Sequence, residues 1–87
     1  MATELVVRGR VQGVGFRYAT AERARLHGVR GWAANRADGT VEVVLEGPPA
    51  GVGVVVEFCR RGPRGAWVED IEISERPVTG LTGFRTL

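Results

Sequence analysis

The strongest constraint on this chain is a glycine-punctuated turn, Gly9-Arg10-Val11-Gln12-Gly13-Val14-Gly15-Phe16-Arg17, between two runs of opposite character. Before and into it, Glu4 to Gln12 alternates loosely and is rich in valine, which predicts a strand carrying Leu5-Val6-Val7. After it, Phe16 to His27 sets Ala19, Ala21, Ala24 and Leu26 among charges, which predicts a helix. A strand passes into a helix over so few residues only where the backbone bends tightly, and glycine permits the bend. Glycine also leaves the amides of the turn without a Cβ to shield them. N–H groups at a helix start point outward with partial positive charge, so the turn is a ready anion site. Arg17 falls in the first helical turn, where a guanidinium can fork onto two phosphate oxygens. The segment therefore predicts a phosphate cradle made by the backbone of Gln12, Gly13, Val14, Gly15, Phe16 and Arg17, with Arg17 as its fixed cation.

The rest of the chain is punctuated as clearly. Gly28 suits the left-handed position past the last turn of the first helix. Val29 to Asn35, carrying Trp32, predicts a second strand, and Thr40 to Leu45 a third, with Val41, Val43 and Leu45 on one face. Arg36-Ala37-Asp38-Gly39 between them predicts a hairpin, because Asp-Gly tolerates the positive φ that such turns need. The valine run near residue 54 has strand propensity, but its flanks are those of a helix. Pro48-Pro49 fits a helix start, Gly62-Pro63 fits a stop, and Arg60-Arg61 sit where the dipole favours cations. Val52, Val55, Val56 and Cys59 share one helical face, so a second helix is predicted. Gly51 and Gly53 weaken it by roughly 0.5–1 kcal/mol each against alanine. Ala66 to Glu75 predicts a fourth strand, Pro77 to Leu81 a loop, and Gly83 to Leu87 a short edge strand.

The order β-α-β-β-α-β predicts an α+β, ferredoxin-like sandwich: an antiparallel sheet with two helices on one face. The hairpin at Asp38-Gly39 argues against a small parallel sheet. In this topology the first two strands run parallel with the third between them. The glycine turn and Asn35 then lie at the same end of the sheet, two strand spacings or about 9–10 Å apart. A phosphate, the Arg17 side chain and one water fit that gap.

Totals bound the function. The 87 residues make one domain, 1–87, with one compact core. The net charge is +2, enough to favour small anions but no nucleic-acid signature, and the chain has twelve arginines and no lysine, with no polybasic run. A single cysteine, Cys59, excludes an internal disulfide. No apolar run approaches membrane-spanning length, and Met1-Ala2-Thr3-Glu4 lacks the features of a signal peptide. A soluble, cytoplasmic protein is expected.

The candidate site contains no strong base. Arg17 stays protonated, and Asn35 can only donate and accept hydrogen bonds, so it can orient a water. The sequence offers no catalytic carboxylate pair, metal-spaced His/Cys set or Ser-His-Asp arrangement. Amides, one guanidinium and one carboxamide suit attack on an already activated phosphoryl group, where positioning and electrostatics dominate. A carboxylic-phosphoric anhydride is such a substrate, since its leaving carboxylate needs no proton.

Val7 to Arg17 and Gly28 to Glu42 resemble the two signatures of the acylphosphatase family, and Gly47-Pro48 and Phe58 to Pro63 also fit. The likeness covers nearly the whole chain. It implies the sandwich above and hydrolysis of a small-molecule acylphosphate to carboxylate and phosphate. By position Arg17 matches the family's catalytic arginine, Asn35 its water-orienting asparagine, and Gln12 to Arg17 its phosphate loop. The resemblance implies no metal or organic cofactor, and substrate phosphate that helps take the water proton. Inorganic phosphate is the expected product and competing ligand, and a monomer is expected.

The chain also admits other readings. A small-anion or RNA-binding module on the same fold is the alternative, but the central strands lack the Phe or Tyr on which bases stack. A nucleotide-hydrolase loop would need a Gly-Lys-Ser/Thr ending, which is absent. A module of a larger maturation protein resembles this domain too, but a chain ending at Leu87 favours a free-standing enzyme. His27 is expected to be structural and Cys59 a buried thiol. Trp32 and Trp67 are expected in the core or on a sheet face. Gln12 is expected to contribute through its backbone.

Overall fold

The computed structural model describes residues 1–87. The strands are β1 (Ala2–Arg10), β2 (Arg30–Asn35), β3 (Val41–Glu46), β4 (Trp67–Glu75) and β5 (Phe84–Thr86); the helices are α1 (Phe16–Leu26) and α2 (Pro49–Arg61). They form one five-stranded sheet in the order β4-β1-β3-β2-β5, the expected ferredoxin-like sandwich with a short added edge strand. Pairing is antiparallel except between β2 and β5. Strand β1 ends two residues earlier than expected, so the turn begins at Val11.

Alternation sets the core. Leu5 and Val7 of β1, Val41, Val43 and Leu45 of β3, and Ala33 of β2 share the helix-side face and are buried. Helix α1 lays Phe16, Thr20, Ala21 and Ala24 on this face, and its small residues let the helix approach closely. Gly28, at φ 66°, closes α1: Val29 N–H donates to Ala24 O at 2.9 Å and Gly28 N–H to Arg25 O at 3.4 Å. The valine-rich segment is helical, with Val52, Val55, Phe58 and Cys59 buried. Phe16 and Phe58 meet at 6.5 Å between ring centroids, which ties the first residue of α1 to α2.

Two features depart from expectation. Gly51 is not simply a weak helix residue. A Cβ there would lie 2.6 Å from His27 O, so glycine is what lets the first turn of α2 meet the end of α1. Trp67 is no packing residue; it is 69% exposed at the start of the edge strand. Trp32 does lie on the sheet face away from the helices, with the Arg76 guanidinium 5.3 Å from its ring. The loop after β4 crosses that face as a strap. There Glu46 is buried and accepts from the backbone N–H groups of Thr79 (3.0 Å), Gly80 (2.8 Å) and Leu81 (2.9 Å). These bonds, Thr79 foremost, hold the Glu46 carboxyl below its ordinary pKa, with a smaller contribution from Arg30.

Candidate active site

The turn after β1 is shaped by two left-handed glycines, Gly13 at φ 74° and Gly15 at φ 77°. Gly15 is also the cap of α1, and no side chain bonds to the amides above it. The N–H groups from Gly13 to Tyr18 donate to no acceptor within the protein, and Ala19 N–H makes the first helical bond, to Gly15 O at 3.0 Å. The first turn of α1 contains no acidic residue that would occupy these donors. Phe16, 2% exposed, anchors the turn in the core, so its contribution to a ligand is its amide. Val14 likewise packs against the core.

Arg17 and Asn35 meet across one cavity of about 190 Å³, lined by Val11, Gly13, Gly15, Phe16, Arg17, Tyr18 and Asn35. Topology brings them together, because β3 alone separates β1 from β2. Asn35 shares the sheet-face parity of buried Ala33, which is the side on which α1 lies. Arg17 Nη1 donates to the main-chain oxygen of Leu87 at 2.6 Å, and Leu87 N–H in turn donates to Ala33 O at 2.9 Å. This chain of contacts fixes Arg17 against β2. A guanidinium carries five N–H donors, so the group keeps donors for a ligand.

Gln12 does more than expected. Its Nε2 donates to Arg36 O at 2.8 Å and to Thr40 O at 3.0 Å. The side chain thereby latches the glycine turn to the hairpin that follows Asn35. Within that hairpin, Asp38 Oδ1 accepts from Thr40 Oγ1 (2.6 Å) and Thr40 N–H (3.0 Å), which hold its carboxyl below the ordinary range. Sequence reasoning also missed Val11, Tyr18 and Leu87. Only Tyr18 left a local signal, as the neighbour of Arg17 in the first helical turn.

The remaining reactive candidates lie elsewhere. Cys59 is buried 3.8 Å from Thr20 Oγ1, and burial pushes its thiol up to about 12, so it is no nucleophile. Arg8 lies 3.4 Å from Glu72 and 3.6 Å from Asp70, as part of a surface charge cluster. A larger groove of about 380 Å³ runs between α2 and the β1/β4 edge, but its Arg60 is engaged by Glu57 at 2.9 Å. The smaller cavity is the one that combines unpaired amides with a guanidinium. Its lining contains no carboxylate, imidazole or thiolate.

The fold is a ferredoxin-like sandwich whose strand–helix turn carries unpaired backbone amides beside one guanidinium. Residues 3–86 match the acylphosphatase family model. An acylphosphatase of Pyrobaculum arsenaticum is 57% identical over 85 residues, 95% of this chain and 90% of that one. An acylphosphatase of Gloeobacter violaceus is 49% identical over 81 residues, 93% of this chain and 87% of that one. The crystal structure of acylphosphatase from Bacillus subtilis superposes with a TM-score of 0.94 at 38% identity, covering 99% of this chain and 97% of that one. The chain belongs to the acylphosphatase family.

Proposed function

We propose that this domain hydrolyses acylphosphates at the cavity between the glycine turn and Asn35. One observation carries the reading: unpaired amides, the Arg17 guanidinium and the Asn35 carboxamide line a single cavity at one end of the sheet. The amides from Gly13 to Arg17, with Arg17 itself, hold the phosphoryl oxygens, and this positive cradle grows more favourable as charge collects on them. Asn35 holds a water for attack on phosphorus. The new P–O bond forms as the bond to the acyl oxygen breaks, and the carboxylate leaves with its electron pair. The proton of the attacking water passes to a phosphoryl oxygen, so the products are carboxylate and protonated phosphate. No residue has to act as a base, which agrees with the chemistry of the lining. The same donor set offers a divalent ion no anionic ligand, which supports a metal-independent reaction.

Hydrolysis of benzoyl phosphate, followed by ultraviolet absorbance with a chelator present, tests this. Wild type turns over. Arg17→Ala loses turnover and competition by inorganic phosphate together. Asn35→Ala lowers kcat by roughly a hundredfold or more while the phosphate inhibition constant stays near wild type. A folded wild type that binds phosphate without turnover would make the domain an anion-binding module.

A further inference from the structure

Amides and a guanidinium account for the phosphoryl half of a substrate. The acyl half needs a wall of its own. Among the residues lining the cavity, Val11 and Phe16 are 1% and 2% exposed, with their side chains committed to the core. Gly13 and Gly15 have no side chain, and Arg17 and Asn35 are engaged by the phosphoryl group and the water. Tyr18 is what remains. It is 69% exposed, large and planar, and it stands in the first turn of α1 beside the cradle.

The same ring also borders a second space. A groove of about 410 Å³ along α1 is lined by Tyr18, Glu22, Arg25 and Leu26. Leu26, 74% exposed, lies about 12 Å further along the helix on a neighbouring face. One cation and one anion, Arg25 and Glu22, balance the groove, and Arg25 Nη2 is held by Phe84 O at 2.7 Å. Tyr18 thus borders both the cavity at the glycine turn and a neutral, partly apolar groove along α1. In-line displacement supplies the direction. With the attacking water on Asn35, the acyl oxygen departs on the opposite side of phosphorus.

We infer that Tyr18 forms the acyl subsite, stacking a planar aromatic acyl group whose far end lies in the groove toward Leu26. The inference rests on the acylphosphate reading above. The Arg17 guanidinium carbon is 6.0 Å from the centre of the Tyr18 ring, so the cation that binds phosphate also steadies the ring that carries the acyl group. Short acyl groups such as acetyl reach only the edge of this wall and gain little from it.

The test compares kcat/KM for benzoyl phosphate and acetyl phosphate in wild type, Tyr18→Ala and Tyr18→Phe. Tyr18 is exposed on a helix and alanine is a good helix former, so the variants fold. Tyr18→Ala lowers the benzoyl-to-acetyl selectivity ratio by roughly two- to tenfold, the range expected for one lost aromatic contact. Tyr18→Phe retains the ratio, and the inhibition constant of inorganic phosphate moves less than twofold in both variants. An unchanged ratio in Tyr18→Ala, with wild type active on both substrates, overturns the subsite and leaves the hydrolase reading intact. A wild type inactive on both substrates overturns the hydrolase reading and the subsite with it.

Discussion

Gln12 offers a sharp perturbation because its side chain and its backbone have separate roles. Its Nε2 donates to two carbonyl oxygens, Arg36 O at 2.8 Å and Thr40 O at 3.0 Å. Gln12→Ala removes both bonds and leaves the carbonyls to water. At about 0.5–1.5 kcal/mol per bond, and with one of the two exposed, the loss is about 1–2 kcal/mol. Gln12→Glu is nearly isosteric, but an ionised carboxylate only accepts. It would face two acceptors and add a negative charge beside an anion site. The stability order is therefore wild type, then Ala, then Glu, although Glu is the more conservative change in shape. Turnover follows the same order, because the latch sets the glycine turn relative to Asn35 and a misplacement of about 1 Å can cost on the order of a hundredfold in rate. Urea unfolding gives the first ranking and kcat/KM for benzoyl phosphate the second. A Glu variant as stable and active as wild type, or better than Ala, would refute the donor assignment and the latch with it.

Two further perturbations probe the scaffold. Gly51→Ala and Gly53→Ala sit two residues apart in α2, yet they should shift stability in opposite directions. An added Cβ meets His27 O at 2.6 Å at residue 51 and nothing within 4 Å at residue 53. Gly53→Ala gains about 0.5–1 kcal/mol of helix propensity, or roughly 2–8 °C in Tm. Gly51→Ala loses about 1–2 kcal/mol net, since overpacking outweighs the same propensity gain; thermal unfolding showing one sign for both would contradict the packing. Glu46 gives an acid dependence. Its folded-state pKa lies below the ordinary 4.5, so the stability it adds is present above that value and fades as pH falls through the folded pKa. Glu46→Gln should flatten the acid side of the stability–pH curve, leaving the contribution of Asp38, whose pKa is lowered in the same direction, and an unchanged slope would disprove this account.

Local signals made most of the fold legible. Glycines at positive φ closed α1 at Gly28 and turned the hairpin at Gly39, and both marks stand in the sequence. Proline and glycine at its flanks outweighed β-branched propensity in α2. The neighbourhood of Arg17 and Asn35 followed from strand order alone. What stayed hidden depends on contacts between distant segments without periodicity. Gln12 meets carbonyls 24 and 28 residues away, and Arg17 meets an oxygen 70 residues away. The strap over Glu46 is irregular chain, and nothing local says which sheet face it crosses. Gly51 looked like a helix defect because its reason lies in His27, on another element.

The way Arg17 is held also bears on the anion binding proposed for this cavity. The chain has twelve arginines and no lysine, and most surface ion pairs made by such residues contribute little to stability. Arg8, Arg30, Arg60 and Arg76 each lie within 4.0 Å of an Asp or Glu oxygen, which cancels much of their potential. Arg17 has no such partner. It is positioned instead by the Leu87 main-chain oxygen. A guanidinium fixed this way stays oriented without giving up its charge to a side-chain carboxylate. Beside it stand amides from Gly13 to Tyr18 that no internal acceptor satisfies. No side-chain carboxylate has to be released from Arg17 before an anion binds there. In the proposed reaction, a phosphoryl group that gathers negative charge on its way to the transition state meets a field already in place, which is how a site without a base would accelerate hydrolysis.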